Sequence, residues 1–318
     1  MTANLNKSIS RILLVSVAIY FFAAWYVGSS EIFNALQKVD ILVIAIPLLF
    51  SLMAYLLRFV RWQYYLSIFK KHVRPKTSML IYFSGFALAM TPGKVGELLR
   101  CAYLKPFKIS YKRSSAMFVV ERFLDVLSML CLSALAIGLL SDKLNFLYLI
   151  MALAIIFLLV MLNPGILLKQ RQLVSSASGR VLKAYRHILD MLLHSGRILR
   201  PISMFSGLLL GVLAWFLDGL GFYYITSHFV PDLQITLVVG IYALSILLGA
   251  FSFMPGGVGA TEALMYGFLH LLNVPAEYAV VIIILSRLTT IWFAVLLGAV
   301  SILGLGTKSN QENKTNPE

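Results

Sequence analysis

The chain has 318 residues, of which 60% are hydrophobic and only 13% charged, too little polar surface for a soluble globule of this size. Its formal net charge of +14 does not point to nucleic acid, because the basic residues sit in short loops between apolar runs, as in the cytoplasmic loops of membrane proteins. The apolar runs are about twenty residues long and rich in Leu, Ile, Phe and Ala, which suits helices crossing a core of ~30 Å and not the short alternating strands of an outer-membrane barrel.

Residues 12–28 follow Lys7 and Arg11 and read as an uncleaved first helix. Further full crossings are expected near 41–57, 114–140, 144–162, 203–227 and 276–304. Two segments break the pattern. Residues 78–90 with 94–104 form two arms of about 20 and 17 Å, neither able to span a bilayer. A re-entrant hairpin with TPGKVGELLR (91–100) at its tip accounts for them, provided the irregular backbone lines a protein or water cavity. A single kinked helix over 78–104 is the alternative, but it would place the later basic loops outside. Residues 235–253 with 258–273, around MPGGVGATEA (254–263), form either a second hairpin or two crossings.

Counting each hairpin as one return sorts the loops by charge. Arg58, Arg61, Lys70, Lys71, Arg74, Lys76, Lys105, Lys108, Lys112, Arg113 and the basic residues of 169–200 fall on one side. The other side holds only Lys38 and Lys143 among several acids. Both termini are therefore expected in the cytoplasm, and the protein in the cytoplasmic (inner) membrane. Trp25, Trp62, Tyr64 and Tyr65 read as interfacial anchors, and Cys101 and Cys131 as small buried thiols. Within 163–202, a cytoplasmic linker, Leu182, Tyr185, Leu189 and Leu192 recur at helical spacing among basic residues, the pattern of an interfacial helix on anionic lipid. Residues 306–318 form a polar tail.

The two hairpins match. Aligning Pro92 with Pro255 sets PGKVG against PGGVG, and an arginine lies twenty-five residues after each following glutamate: Arg122 after Glu97, Arg287 after Glu262. The first hairpin opens to the cytoplasm and the second to the exterior. The fold expected is an all-α polytopic membrane domain of six full transmembrane helices and two re-entrant hairpins. Its halves, about 41–140 and 203–304, form an inverted-topology repeat, a transporter signature.

The motifs TPGKVGELLR, ERFLD (121–125) and PGGVGATEA (255–263), in this order, resemble the flippase-like family built on the membrane domain of lysylphosphatidylglycerol synthases, over roughly residues 10–305. That resemblance implies handling of membrane lipids or lipid-linked sugars. With only a polar tail after residue 305 and no soluble aminoacyltransferase domain, synthesis of an aminoacylated lipid does not carry over.

Charged residues within the membrane cost about 2.5–3.5 kcal/mol each and need partners or an aqueous cavity. Lys94, Glu97, Arg100, Glu121, Arg122, Asp125, Glu262 and Arg287 are the candidate substrate-binding residues. Glu97, Arg122, Glu262 and Arg287 either pin each hairpin to its long helix or line a translocation cavity, and one reading does not exclude the other. Lys94 and Arg100 suit an anionic headgroup, while snorkelling to the interface is open for Arg100. Pro92, Gly93, Gly96, Pro255, Gly256, Gly257 and Gly259 form the hairpin tips, where a helix N-terminus favours phosphate. Asp218 either carries a proton or hydrogen-bonds across helices. No cofactor or metal is expected, and no Walker sequence occurs. These features favour a transporter of an anionic lipid or lipid-linked sugar phosphate, with a membrane-embedded lipid-modifying transferase, or a non-catalytic partner of one, as the alternative. The expected partners are an anionic lipid or lipid-linked glycan, an anionic cytoplasmic lipid surface, and a lipid-modifying enzyme or glycosyltransferase.

Overall fold

The structure of the protein, a computed structural model, describes residues 29–70, 73–91, 97–139, 163–174, 179–252 and 254–315. The expected crossings at 12–28 and 144–162, together with Trp25, Pro92, Gly93, Lys94 and Gly96, lie outside them.

After α1 (Ser29–Gln37), the Asp40 carboxylate accepts the Ile41 N–H at 2.6 Å and caps α2 (Ile41–Ile68). α3 (Pro75–Ser84) begins with proline at the one turn that needs no amide donor, and tightens into a 3₁₀ turn over Gly85–Leu88. The chain continues through α4 (Leu99–Leu104) to α5 (Tyr111–Ser133) and a 3₁₀ turn at Ala134–Leu139. α6 (Pro164–Leu173) and α7 (Arg180–Ile198) precede α8 (Pro201–Phe229), α9 (Ile235–Phe251), α10 (Ala260–Leu271) and α11 (Ala276–Arg287). A π-turn at Leu288–Trp292 joins α11 to α12 (Phe293–Thr315), so the helix runs into the expected polar tail. Among the described residues the fold is helical throughout, without a strand.

α2, α8 and Ala276–Leu305 have 28, 29 and 30 residues and are apolar enough to cross a membrane. At 1.5 Å per residue they measure about 42–45 Å, ample for a ~30 Å core. α5 carries charges, of which Glu121 and Asp125 are buried against protein. α9, with 17 residues, and α10, with 12, are markedly shorter, as are α3 and α4.

α2 continues eleven residues past the expected end of the run at 57, and this corrects four readings. Arg58 and Arg61 are buried inside the helix and not in a cytoplasmic loop, because each has a carboxylate partner on another helix. Trp62 and Tyr65 are fully buried core residues and not interfacial anchors; Trp62 packs at 5.5 Å on Tyr82 within an aromatic cluster that includes Tyr55, Phe83 and Phe86. Cys101 is buried as expected, whereas Cys131 is exposed.

Glycines set the closest approaches. A methyl group built on Gly221 would lie 3.3 Å from the Pro47 Cβ, and one on Gly207 would lie 2.4 Å from the Tyr65 hydroxyl. As α2 ascends from 47 to 65, its contacts on α8 descend from 221 to 207, so the two helices pack antiparallel. The first arm of each short pair packs on the other half's long helix, α3 on α12 and α9 on α5. Close approach is required in both places, because a methyl group on Gly298 would lie 2.1 Å from the Ala87 nitrogen, and one on Gly240 would lie 2.6 Å from that of Ala136. Two non-glycine residues with left-handed backbone, Lys108 (φ 57°) and Asn273 (φ 58°), stand at matching places just before α5 and α11. Their separation of 165 is that of Glu97 from Glu262 and Arg122 from Arg287.

The segment expected as an interfacial helix is α7. Of its stripe, Leu189 is buried, Leu182 and Leu192 are half-buried and Tyr185 is exposed. Part of the apolar face thus packs within the protein, where α7 contacts α5, while Tyr185 and Ile188 remain exposed. Asp190 ties the layer together by binding Lys112 at the start of α5 and Arg171 of α6. Partial burial opposes its charge, but the hydrogen bonds from Lys112 and Arg171 outweigh burial and hold the carboxyl below its ordinary value.

Two outcomes are expected. Gly298→Ala should destabilise by roughly 1–3 kcal/mol, since backbone cannot yield to the new methyl; Gly267→Ala, in a helix with nothing within 4 Å, should be neutral or stabilising in the same thermal unfolding assay. Asp190→Asn should cost up to about 1 kcal/mol at neutral pH, since both cationic partners are partly exposed. Because the native carboxyl is more acidic than the unfolded one, that difference should hold from neutral pH to about 5 and vanish as pH falls below the carboxylate range, measured as stability of the two proteins against pH.

Candidate functional site

α5 carries three charged residues within five positions, Glu121, Arg122 and Asp125, and each is held differently. Glu121 pairs with Arg100 of α4, both fully buried. The Arg100 guanidinium lies 4.6 Å from the Trp62 ring centroid and 5.2 Å from that of Tyr82. An aromatic box suits a guanidinium, which is weakly hydrated and flat. The snorkelling reading of Arg100 is therefore corrected: its head points into protein.

Asp125, one turn beyond Glu121, is held from two sides. Arg61 of α2 donates to its Oδ1 at 2.8 Å, and Arg122 stands 3.0 Å from its Oδ2. Arg122 also faces Glu97 at 3.6 Å, too long for a hydrogen bond. One carboxylate thus joins α2 to α5, while the neighbouring arginine reaches loosely toward the first short pair. A methyl group on Gly85 would lie 3.2 Å from the Glu97 carbonyl oxygen, so the two arms of that pair are themselves in close contact.

The second pair has the same plan with a tighter lock. Gly256, Gly257 and Gly259 have φ of 63°, 69° and 90°, values that glycine alone adopts without strain. They turn PGGVG sharply into α10. There the Gly259 N–H donates to Glu262 Oε2 at 2.7 Å, and Arg287 Nε donates to Oε1 at 2.7 Å. Glu262 therefore caps α10 and anchors it to α11 at once. The two latches differ in access: the Arg122 side chain is 23% exposed and that of Arg287 is 5% exposed.

The tip of the second pair meets the end of the first. A methyl group on Gly256 would lie 3.1 Å from the Met90 Cα and 3.2 Å from the Ile291 Cδ1. Nearby, the Tyr55 hydroxyl donates to the Thr290 carbonyl at 2.7 Å within the π-turn, where regular helix bonding is interrupted. Arg58 donates to Asp218 at 2.7 Å, both buried, with Trp215 4.5 Å below the guanidinium. Asp218 is thus bonded across helices to a charged partner.

Of the expected residues, Glu97, Arg100, Glu121, Arg122 and Asp125 lie together around α5, with Glu262 and Arg287 in the equivalent place of the second half. Arg58 and Arg61 were missed, because basic residues ending an apolar run resemble a positive-inside loop. The available signal was Asp218, deep in a long apolar run with no charged neighbour in sequence.

Such an arrangement holds fixed charges where helices meet and exposes one arginine. It defines a polytopic helical membrane protein whose interior is organised by buried ion pairs. The chain belongs to the family described as the lysylphosphatidylglycerol synthase TM region, whose model matches residues 9–298. Similar proteins include the UPF0104 membrane protein PH1989 of Pyrococcus horikoshii, 22% identical over 92% of this chain and 96% of the relative. A UPF0104 membrane protein of Methanothermobacter thermautotrophicus is 25% identical over 86% of this chain and 87% of its own length. UPF0104 membrane protein MJ1595 of Methanocaldococcus jannaschii is 22% identical over 92% and 94%.

The two latches should respond differently to loss of charge. Glu262→Gln or Arg287→Gln should each cost about 3–5 kcal/mol, because either strands a buried charge, and the double substitution should cost much less than the sum. The Glu97–Arg122 cycle should show weaker coupling, since the contact is longer and Arg122 keeps Asp125. Thermal unfolding of both sets gives the comparison.

Proposed function

We propose that the protein moves an anionic lipid, or a lipid-linked sugar phosphate, between the leaflets of the cytoplasmic membrane without direct use of ATP. The observation that carries this reading is the meeting of the two short helix pairs: glycine-rich backbone with left-handed turns, apposed to Met90 and flanked by buried ion pairs. Irregular backbone at membrane depth is tolerated only against protein or a water-filled cavity, and such breaks mark transport sites in repeat-built carriers.

In this reading the chain has six full crossings and two re-entrant hairpins, both termini are cytoplasmic, and the halves are inverted repeats. The antiparallel packing of α2 on α8 and the matched left-handed turns at Lys108 and Asn273 support the inversion. Arg122, the partly exposed member of the ion-pair network, is the group that meets a phosphate, aided by Lys94 in PGKVG. Arg287, closed on Glu262, pins the second half. The exposed Lys169 and Lys183 of the linker face the anionic cytoplasmic surface.

Reconstitution tests the reading. In liposomes, the purified protein should accelerate leaflet exchange of a labelled phosphatidylglycerol without ATP. Arg122→Gln should slow it by about ten- to a hundredfold, the worth of one charge-assisted hydrogen bond. Unchanged exchange together with a newly formed lipid species would move the assignment to a lipid-modifying transferase.

A further inference from the structure

We propose that Arg58 and Asp218 stand on the local twofold axis relating the two halves and form the fixed pivot on which those halves rock, an inference that rests on the transporter reading above. α2 begins at Ile41 and α8 at Pro201, an offset of 160. The same offset relates Arg58 to Asp218 and Tyr55 to Trp215. Arg58 is therefore bonded, at 2.7 Å, to its own structural equivalent.

On a twofold axis a residue meets its own counterpart, and away from it contacts come in reciprocal sets. Both features occur here. Pro47 meets Gly221, the position equivalent to Arg61, while Gly207, the position equivalent to Pro47, meets Tyr65, one turn from Arg61. The surroundings of the pair repeat as well: the Arg58 guanidinium lies 5.9 Å from the ring of Tyr55, three residues back on its own helix, and 4.5 Å from that of Trp215, three residues back from Asp218. An arginine at 218 would find the same two rings with their order reversed.

A twofold motif normally repeats a side chain, and two like charges cannot meet in hydrocarbon. Here the equivalent positions carry opposite charge, which satisfies both members. A pair on the axis keeps its geometry when the halves exchange conformations, whereas pairs away from it must lengthen or shorten. The difference between the Glu97–Arg122 contact at 3.6 Å and the Glu262–Arg287 contact at 2.7 Å is what an asymmetric state of such a machine presents. Asp218 then positions helices and carries no proton.

The test uses the full chain with four sets of changes: Arg58→Gln, Asp218→Asn, the neutral double Arg58→Gln with Asp218→Asn, and the interchange Arg58→Asp with Asp218→Arg. Each protein is assayed for unfolding temperature in detergent and for exchange of labelled phosphatidylglycerol in liposomes across pH. The single changes should lower the unfolding temperature by about 10 °C, and the interchange should recover to within about 3 °C of the unaltered protein. Exchange by the interchange and neutral double proteins should stay within about twofold of the unaltered protein, with the same pH profile. An interchange no better than the single changes would overturn the axial placement. A neutral double protein that folds but loses exchange, or alters its pH profile, would show that Asp218 carries charge and overturn the pivot. If the unaltered protein exchanges no lipid, the transporter reading fails and the rocking role with it, while the unfolding temperatures still decide the axial placement.

Discussion

A charge in hydrocarbon must be met by an opposite charge, and most of this structure follows from that requirement. Arg58, Arg61, Arg100 and Arg287 are all buried and all paired with carboxylates on other helices. Because helix association in a membrane has little hydrophobic drive, such contacts supply orientation that apolar packing alone does not. Asp125, held by Arg61 and Arg122, fixes α2 relative to α5; Asp218, held by Arg58, fixes α2 relative to α8. The three helices form a frame on which the short pairs are hung.

Within that frame, glycine decides how near the parts come. Gly298 and Gly240 let each short pair lie against the opposite half's long helix, and Gly256 lets the two pairs touch. This crossing of halves means that neither half buries its own short pair alone. A movement of one half would therefore shift the cover over the other half's short pair. The two glutamate–arginine latches sit where such a shift is felt, one loose and partly exposed, the other closed and tied to a helix cap.

Features governed by short-range chemistry were readable from the chain. The helices over 203–227 and 276–304, the short arms around Pro-Gly, and the two twenty-five-residue intervals from glutamate to arginine all reflect spacing within one segment or its repeat. Glu262 with Arg287, and Glu97 with Arg122, meet as those intervals suggest. What escaped was pairing between segments far apart in sequence. Nothing in the apolar pattern near Arg58 announces a carboxylate 160 residues away, and a basic residue at the end of such a run has the composition of a cytoplasmic loop. Trp62 and Tyr65 were misread for the same reason, since aromatic side chains near a helix end serve equally as anchors or as core. The stripe on α7 is amphipathic whether it faces lipid or α5, and only packing decides. The π-turn at Leu288–Trp292 has no sequence signal comparable to proline.

The opposite orientation of the two halves is the claim on which the transport reading depends, and sidedness measures it most directly. In a background of Cys101→Ser and Cys131→Ser, Lys105→Cys and His270→Cys place exposed thiols at matching positions at the ends of the two short pairs. An impermeant thiol reagent applied to oriented membrane vesicles should label Lys105→Cys only from the cytoplasmic face and His270→Cys only from the opposite face. Labelling of both from the same face would contradict the inverted repeat and the mechanism built on it.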